Sequence, residues 1–317
     1  MRVLVTGGSG YLGSLTVAGL VDADVAEVVA LDVRAPRRPV DGVDQVTGDL
    51  REVDLAVLLR ERAIDRVVHL AAVLDPPPGM SAAELHDIEV GGTRRVVDAC
   101  LAAGVDHLTV ASSGAAYGYT PDNRRRPRVE SDPTPGHPRF AYSRHKAEVE
   151  ALLRTVRREH PELGQLVLRP ATVLGERTDN RLTRLFTGRV VLGLAGTEVP
   201  FVFIWDRDVV EVIVRGVRER VTGVFNLAGD EVLTLADIAA IEGRRHLAVP
   251  PVLLTAGLRV ASAARLVPYG PEEVDFLRYR PVLDNSALKA AFPGLPRLTT
   301  PEVYARFRAG RRERVRG

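Results

Sequence analysis

This chain of 317 residues is poor in several features, and each absence excludes a kind of bond, site or partner. The single cysteine, Cys100, excludes an intramolecular disulfide and fits a reducing compartment, so we expect a cytoplasmic protein. The seven histidines lack recognisable ligand spacing, so no metal site is predicted. A net charge of +2 gives no general attraction to nucleic acid, and no such partner is expected.

Long apolar runs are also missing. The most apolar late stretch, residues 248–270, is interrupted by Arg259 and Arg265 and opens with two prolines. This pattern predicts an amphipathic helix and argues against a membrane span, with a membrane-surface role as the less favoured alternative. The strand-like run "RVLV" begins at residue 2, so no signal peptide is expected ahead of it.

Lysine is also scarce, since only Lys146 and Lys289 occur among 43 Lys and Arg residues. Lys146 lies in "FAYSRHKAEVE", four positions after Tyr142 and therefore one helical turn away. A compact ammonium can tune a neighbour's proton affinity and hydrogen-bond a sugar hydroxyl, which a guanidinium does poorly. The alternative is an ordinary surface lysine on an amphipathic helix.

The chain alternates short β-branched runs with longer stretches of helical spacing. The runs are "VLV", "EVVALD", "DQVTGD", "DRVVHLAA", "HLTVASS" and "QLVLRP". This alternation predicts a doubly wound α/β fold with a parallel sheet. After Pro170 the pattern is less regular, so we predict a first domain over 1–170, with 201–228 returning to it, and a smaller interleaved region over 171–200 and 229–317.

A glycine-rich turn, "VLVTGGSGYLG", links the first strand to the first helix. Gly7 permits a tight turn, Gly10 lets the backbone approach a diphosphate, and Gly13 permits close helix packing, so a Rossmann-type dinucleotide site is predicted. Tyr11 and Leu12 belong to the same turn and are expected to contact the cofactor.

An acidic residue at the end of the second strand bears on cofactor choice. Asp32 lies 19 positions beyond Gly13, where a carboxylate can bind the adenosine ribose hydroxyls and repel a 2′-phosphate. This favours NAD, although the nearby Arg34 keeps NADP open. Asp49 and Leu50 in "TGDL" are predicted to flank the adenine, with a simple turn acid as the alternative for Asp49.

Taken together, the motifs resemble those of extended short-chain dehydrogenase/reductases, specifically the NAD-dependent epimerase/dehydratase family. The resemblance extends through "TGGSGYLG", "GDL", "VVHLAA", "VASSGAAYG", "AYSRHK", "LRPATVLG" and "GVFNLAGDE". It implies a catalytic trio of Ser113, Tyr142 and Lys146. It also implies that the nicotinamide lies along Ala71, Ala72 and the backbone from Pro170 to Val173, and that the protein is a homodimer.

The chemistry explains why this trio is needed. Hydride transfer at a secondary alcohol requires a proton to move as well, and a phenol with a pKa of about 10 is a poor base at neutral pH. We expect Lys146 to lower the pKa of Tyr142 and to bind the nicotinamide ribose, while Ser113 hydrogen-bonds the reacting oxygen.

The chain also departs from the family pattern. Glu89 in "EVGGT" occupies the position of the asparagine in the usual "NVxGT", and "SSG" replaces the Thr-Asp-Glu of 4,6-dehydratases, which argues against dehydration. Phe201 and Phe203 stand near the usual diphosphate-binding arginine and favour a more apolar substrate. Other arginines able to take over that role are Arg181, Arg184, Arg207 and Arg278.

The sequence therefore predicts an NAD(P)-dependent oxidoreductase acting on a small-molecule secondary alcohol or ketone. A nucleotide-sugar epimerase with retained NAD is the nearest alternative, and a non-catalytic dinucleotide sensor is a third. Net consumption of NADH separates the first two.

Overall fold

The computed structural model describes residues 1–25, 27–77, 79–264, 270 and 272–316, apart from the side chains at 181, 315 and 316. The chain forms two compact units, here called unit 1 and unit 2. Unit 1 comprises Met1–Ala116, His145–Pro170 and Asp206–Phe225. Unit 2 comprises Tyr117–Arg144, Ala171–Trp205 and Asn226–Gly317.

The strands are short and mostly apolar. In chain order they are β1 Arg2–Thr6, β2 Glu27–Asp32, β3 Val43–Thr47, β4 Arg66–His69, β5 His107–Ala111, β6 Gly164–Pro170, β7 Thr172–Leu174, β8 Val190–Leu194, β9 Pro200–Phe201, β10 Phe203–Trp205, β11 Gly223–Leu227, β12 Leu233–Thr234 and β13 Arg245–Val249.

The helices alternate with these strands. They are α1 Tyr11–Asp22, α2 Leu55–Glu61, α3 Ala82–His86, α4 Gly92–Ala103, α5 Ala141–Glu159, α6 Arg181–Thr187, α7 Asp206–Glu219, α8 Leu235–Glu242, α9 Pro251–Ala263, α10 Glu272–Arg278, α11 Ser286–Ala291 and α12 Thr300–Arg316. A π-helical turn, Asp87–Gly91, joins α3 to α4.

A seven-stranded sheet in the order β11-β6-β5-β4-β1-β2-β3 organises unit 1. Each neighbouring pair from β6 to β3 is parallel, with Thr6 of β1 opposite both Leu31 of β2 and His69 of β4. The sheet order reverses direction between β1 and β4, and ligands of such sheets bind beyond the carboxyl ends of the strands at this point. The predicted doubly wound fold is confirmed, and all six predicted strands are present.

Helices α2, α4 and α5 supply side chains to one core of unit 1. Strand residues Val29, Val67 and Leu108 are at most 1% exposed there, and Cys100 of α4 is completely buried among them. Burial raises the pKa of the Cys100 thiol to about 12. The described part of the chain contains no helix both long and apolar enough to cross a membrane.

Within its described residues, unit 2 has three two-stranded sheets in place of one large sheet. They pair β7 with β10, β9 with β12 and β8 with β13. Its core is aromatic, because Phe186, Phe201, Phe203, Tyr304 and Phe307 are at most 1% exposed and pack ring against ring. The late amphipathic stretch forms α9, and its predicted continuation over residues 265–269 lies outside the described residues.

Candidate functional site

The turn between β1 and α1 requires glycine at two positions. Gly7 has a φ of +71°, and a Cβ atom there would lie 2.6 Å from the amide nitrogen of Ala71. A Cβ atom at Gly13 would lie 1.9 Å from the carbonyl oxygen of Gly7. The turn is therefore packed closely against both the start of α1 and the segment after β4, and Gly7, Gly13 and Ala71 are brought together.

The amino end of α1 is left open to an anion. Gly10 is the N-cap residue, no side chain caps the helix, and its first turn contains no acidic residue. The amides of Leu12 and Gly13 lack an acceptor within the helix, and the helix dipole makes this end positive. Tyr11, also in this first turn, uses its hydroxyl to donate to Asp206 at 2.6 Å.

Asp32 ends β2 beside the glycine turn. Its carboxylate accepts hydrogen bonds from the backbone amides of Ser9 and Arg34, each at 3.1 Å. These bonds fix the carboxylate next to the turn, whereas the side chain of Arg34 is exposed. The backbone thus fixes the orientation of the Asp32 carboxylate beside the glycine turn.

Asp49 is already engaged by a neighbour. Arg51 donates to both carboxylate oxygens, with the shortest contact at 2.7 Å, and these hydrogen bonds hold the pKa of Asp49 below its usual value. Leu50 is half-buried and packs against the unit 1 core. The Asp49 carboxylate is therefore paired within this turn, and the adenine contacts of Asp49 and Leu50 stay predictions.

A buried polar chain lies at the end of β4, just before Ala71 and Ala72. The Thr93 hydroxyl donates to the Glu89 carbonyl at 2.8 Å, so it accepts from His69 Nε2 at 3.1 Å, and His69 Nδ1 accepts from Thr6 at 2.7 Å. Burial, together with the charge of Lys146, lowers the pKa of His69 to about 3. His69 is therefore a neutral structural residue beneath this segment.

The two serines after β5 differ in their surroundings. Ser112 is buried and donates to Glu150 at 2.7 Å, while Arg169 binds both oxygens of the same carboxylate. Ser113 is half-buried, and its hydroxyl oxygen accepts from the amide of Ala115 at 3.1 Å. Among the described residues the hydroxyl proton of Ser113 has no acceptor, so Ser113 is the serine with a donor to offer.

Lys146 is almost fully buried in unit 1, with 6% of its side chain exposed. Its ammonium lies 3.5 Å from the carbonyl oxygen of Ala111, the last residue of β5, and 3.2 Å from the carboxylate of Glu89. The ammonium therefore lies at the carboxyl edge of the sheet, beside Ala111, which precedes Ser113 by two residues in the chain.

The remaining predicted residues lie where the chain passes from one unit to the other. Tyr142 is in the first turn of α5, in unit 2, and Lys146 follows one turn later on the same helix, in unit 1. Pro170 ends β6 in unit 1, and Val173 lies in β7 of unit 2, opposite Ile204 of β10.

Arg280 in unit 2 is a buried cation that sequence reasoning missed. The guanidinium of Arg280 lies 4.2 Å from the ring centroid of Phe201 and 4.4 Å from that of Phe276, and it donates to Thr172 at 3.0 Å. Its Nη1 nitrogen is buried without a hydrogen-bond partner among the described residues. Burial lowers its pKa to about 10, so it stays charged at neutral pH.

The aromatic and arginine residues that the sequence did single out are placed as follows. Phe201 and Phe203 are completely buried in the unit 2 core, so they pack the fold. Arg184 and Arg207 are exposed, and Arg278 lies over the ring of Tyr279 at 5.2 Å. In the described ranges, no group of three His, Cys, Asp or Glu side chains could hold a metal ion.

Comparison with known proteins agrees with this arrangement. The chain is 25% identical to an uncharacterised protein of Mycobacterium tuberculosis, over 98% of this chain and 84% of that protein. It is 32% identical to the UDP-glucose 4-epimerase of Azospirillum brasilense, over 55% of this chain and 49% of that enzyme. The structure of MoeE5 with UDP-glucuronic acid and NAD superimposes with a TM-score of 0.72, at 25% identity and over 99% of both chains.

A family model completes the comparison. The model of the NAD-dependent epimerase/dehydratase family matches residues 3–228, which include the glycine turn, both serines and the whole of α5. The family expected from the motifs is confirmed: the chain belongs to the NAD-dependent epimerase/dehydratase family, whose members have the extended short-chain dehydrogenase/reductase fold.

Proposed function

We propose that the chain is an enzyme that binds NAD and transfers a hydride between the nicotinamide and a secondary alcohol or ketone. The observation that carries this proposal is the buried ammonium of Lys146, beside the end of β5 and one turn after Tyr142 on α5. A cation enclosed at the carboxyl edge of a doubly wound sheet is costly to bury and is expected to serve the ligand that binds there.

The residues of unit 1 fit a dinucleotide. The amides at the start of α1 would bind the diphosphate, and the fixed carboxylate of Asp32 would bind the adenosine ribose and disfavour a 2′-phosphate, so NAD is proposed over NADP. Lys146 would bind the nicotinamide ribose, and Ala71 and Ala72 would lie along the ring. When bound, NAD supplies the hydride acceptor.

Side chains of this protein would transfer the proton of the substrate hydroxyl and orient its oxygen. We assign Tyr142 as the group that holds the proton leaving or joining the substrate oxygen, and Ser113 as the donor that orients this oxygen. Pro170 and Val173 would complete the nicotinamide side, and residues 171–200 and 229–317 would recognise the rest of the substrate.

The test compares Tyr142→Phe with the parent and with Tyr279→Phe, a tyrosine variant outside the proposed machinery. Tyr142→Phe should lower turnover by about 10²- to 10⁴-fold and leave NAD affinity nearly unchanged. Turnover is followed through NADH with a panel of ketones and alcohols, and NAD affinity by calorimetry. A parent that binds no NAD, or equal turnover in Tyr142→Phe, contradicts the proposal.

Epimerisation of a nucleoside-diphosphate sugar is the second candidate, because Arg280 offers a buried charge to an anion and the relatives include UDP-glucose 4-epimerases. The same trio would oxidise and re-reduce one substrate with no net change in NADH. Incubation with UDP-sugars, followed by NMR of the sugar products, separates this reaction from net oxidation. Bound NAD without conversion of either substrate class would favour dinucleotide sensing.

The assembly and compartment remain predictions. We propose a homodimer in the cytoplasm, the compartment that the single cysteine favours. Light scattering coupled to gel filtration should give twice the mass of 34.4 kDa, and a monomer at micromolar concentration would contradict the proposed dimer.

A further inference from the structure

Glu89 is a buried carboxylate at the position where the family pattern carries an asparagine. It is 3% exposed and lies on the π-helical turn between α3 and α4. Turns of this kind are rare and occur frequently at functional sites. A buried acid requires compensation by positive charge and hydrogen bonds, so its contacts indicate its task.

Both oxygens of this carboxylate are used. Oε1 accepts from the backbone amide of Val73 at 2.5 Å, and Oε2 lies 3.2 Å from the ammonium of Lys146. A carboxylate can accept at both oxygens, whereas an amide side chain accepts at one and donates at the other. Asparagine or glutamine at position 89 therefore cannot make both contacts, and this chain has an arrangement that the family residue does not allow.

The two contacts join separate parts of unit 1. Val73 lies shortly after β4, in the segment that begins with Ala71 beside the glycine turn, and Lys146 lies on α5. The backbone of Glu89 is itself held, because its carbonyl accepts from the Thr93 hydroxyl at 2.8 Å. Glu89 thus connects the lysine to the segment after β4 from a fixed position.

The charges around the ammonium indicate what this connection achieves. The titratable groups near Lys146 include Glu89 from the π-helical turn, at 3.2 Å, and His69 from the end of β4, whose pKa the charge of Lys146 helps to lower. His69 is neutral, because burial lowers its pKa to about 3. Glu89 therefore supplies a negative charge within hydrogen-bonding range of the buried ammonium.

We propose that Glu89 is a positioning residue for Lys146, which holds the ammonium between β5 and the segment after β4 and keeps it charged although it is buried. The assignment of Lys146 to the cofactor rests on the proposed function, but the pairing itself does not. Lys146 is therefore already paired with Glu89 when its ligand binds. Removal of Glu89 should change both the protonation and the position of the Lys146 ammonium.

The scarcity of lysine makes a direct test practical. Protein labelled with ¹³C at lysine Cε gives two signals, from Lys146 and Lys289, and Lys146→Arg assigns them. Lys289 pairs with Asp230 in unit 2 and serves as an internal reference. In Glu89→Gln without cofactor, the midpoint of the Lys146 titration should fall by about one to three pH units, while that of Lys289 stays fixed.

Asp87→Asn is the matched control, because Asp87 lies on the same turn and its carboxylate pairs with Arg95 at 2.9 Å. It should leave the Lys146 midpoint unchanged. A folded Glu89→Gln protein with the parental Lys146 midpoint overturns the proposal. Should Glu89→Gln fail to fold, the parent decides: a Lys146 midpoint near or above 10 supports the pairing, and one more than about two units below Lys289 overturns it.

Addition of NAD separates this proposal from the proposed function. If both hold, NAD shifts the Lys146 signal of the parent, and Glu89→Gln lowers NAD affinity about tenfold or more. A Lys146 signal that does not respond to NAD counts against the cofactor assignment alone, since the midpoint measured without cofactor still reports on Glu89.

Discussion

Unit 1 and unit 2 each bury cationic side chains, and the groups around these cations differ in kind. In unit 1, Arg169 binds Glu150 through two hydrogen bonds, at 2.7 and 2.5 Å, and both side chains are 3% exposed. Lys146 likewise faces Glu89. In unit 2, Arg280 lies between two aromatic rings, and its Nη1 nitrogen has no hydrogen-bond partner within the described residues.

This difference distinguishes Arg169, whose charge is satisfied by Glu150, from Arg280, whose Nη1 nitrogen has no hydrogen-bond partner among the described residues. A buried pair that satisfies both partners is destabilised strongly when one partner is removed. A cation packed between rings gains from their π faces but retains unused donors, which a bound anion can satisfy. The charge of Arg169 is therefore balanced within unit 1 by Glu150, and we expect the charge of Arg280 in unit 2 to be balanced by a ligand.

The largest expected effect is on stability in unit 1. Arg169→Met leaves the Glu150 carboxylate buried without its cation, and the free energy of unfolding should fall by about 3–5 kcal/mol. Urea denaturation measures this loss. The double variant Glu150→Met/Arg169→Met should recover part of it, because no charge is then left buried. A loss below about 1 kcal/mol for Arg169→Met would show that the pair does not hold the fold.

Arg280→Met should behave in the opposite way. It removes one hydrogen bond to Thr172 and the contacts with two rings, which Met partly replaces, so the free energy of unfolding should fall by only about 1–2 kcal/mol. It also removes the unused Nη1 donor, so affinity for UDP should fall by about 10- to 100-fold. Calorimetric titration with UDP measures the affinity. Arg139→Met is the control, because Arg139 is 61% exposed and already paired with Asp275. Equal UDP affinity in parent and Arg280→Met would remove the contrast between the units.

Cofactor choice should respond to Asp32 more modestly. Asp32→Ala removes the carboxylate that repels a 2′-phosphate, and the ratio of NAD to NADP affinity should fall by about tenfold, which corresponds to about 1.4 kcal/mol. Titration of both cofactors tests this change, with Asp41→Ala on the neighbouring exposed loop as control. A parent that prefers NADP would transfer the main role to Arg34.

The smallest expected effect concerns pH. His69 has its pKa lowered to about 3 in the folded state, against about 6.5 when unfolded, so the unfolded chain binds the extra proton between these values. Stability contributed by neutral His69 is present above pH 6.5 and should decrease by about 1 kcal/mol between pH 6.5 and 5.5.

His69→Gln should remove that part of the pH dependence. Urea unfolding at several pH values gives the slope, which should fall by up to one proton relative to the parent. His160→Gln should leave the slope unchanged, because 45% of the His160 side chain is exposed. An unaltered slope in His69→Gln would mean that His69 is not held neutral in solution.

Local patterns explain why the sequence predicts unit 1 well. The runs of β1, β2 and β4–β6 are β-branched and buried, and such runs identify parallel strands without knowledge of their partners. Glycine is required at positions 7 and 13 because a Cβ atom there would clash with backbone atoms of the same turn or of the segment after β4. The fold and the family are therefore confirmed, whereas the roles of Ser113, Tyr142 and Lys146 stay predictions.

Unit 2 could not be predicted to the same depth. Strands β9 and β12 have two residues each and pair across more than thirty positions, so neither carries a periodic pattern. The rings around Arg280 come from Phe201 and Phe276, and only folding brings them together. Glu89 was visible as a departure from the family pattern, but its partner Lys146 is 57 residues away.

Because Cys100 is buried, the rate at which its thiol reacts with a dye measures how often unit 1 opens or unfolds. The thiol is completely enclosed by the core of unit 1, and its high pKa keeps it in the unreactive protonated form. A thiol-reactive dye can therefore modify this residue only when α4 detaches or the unit unfolds. With no second cysteine in the chain, the labelling rate counts those openings at one known place, and saturating NAD should slow it if the cofactor binds unit 1.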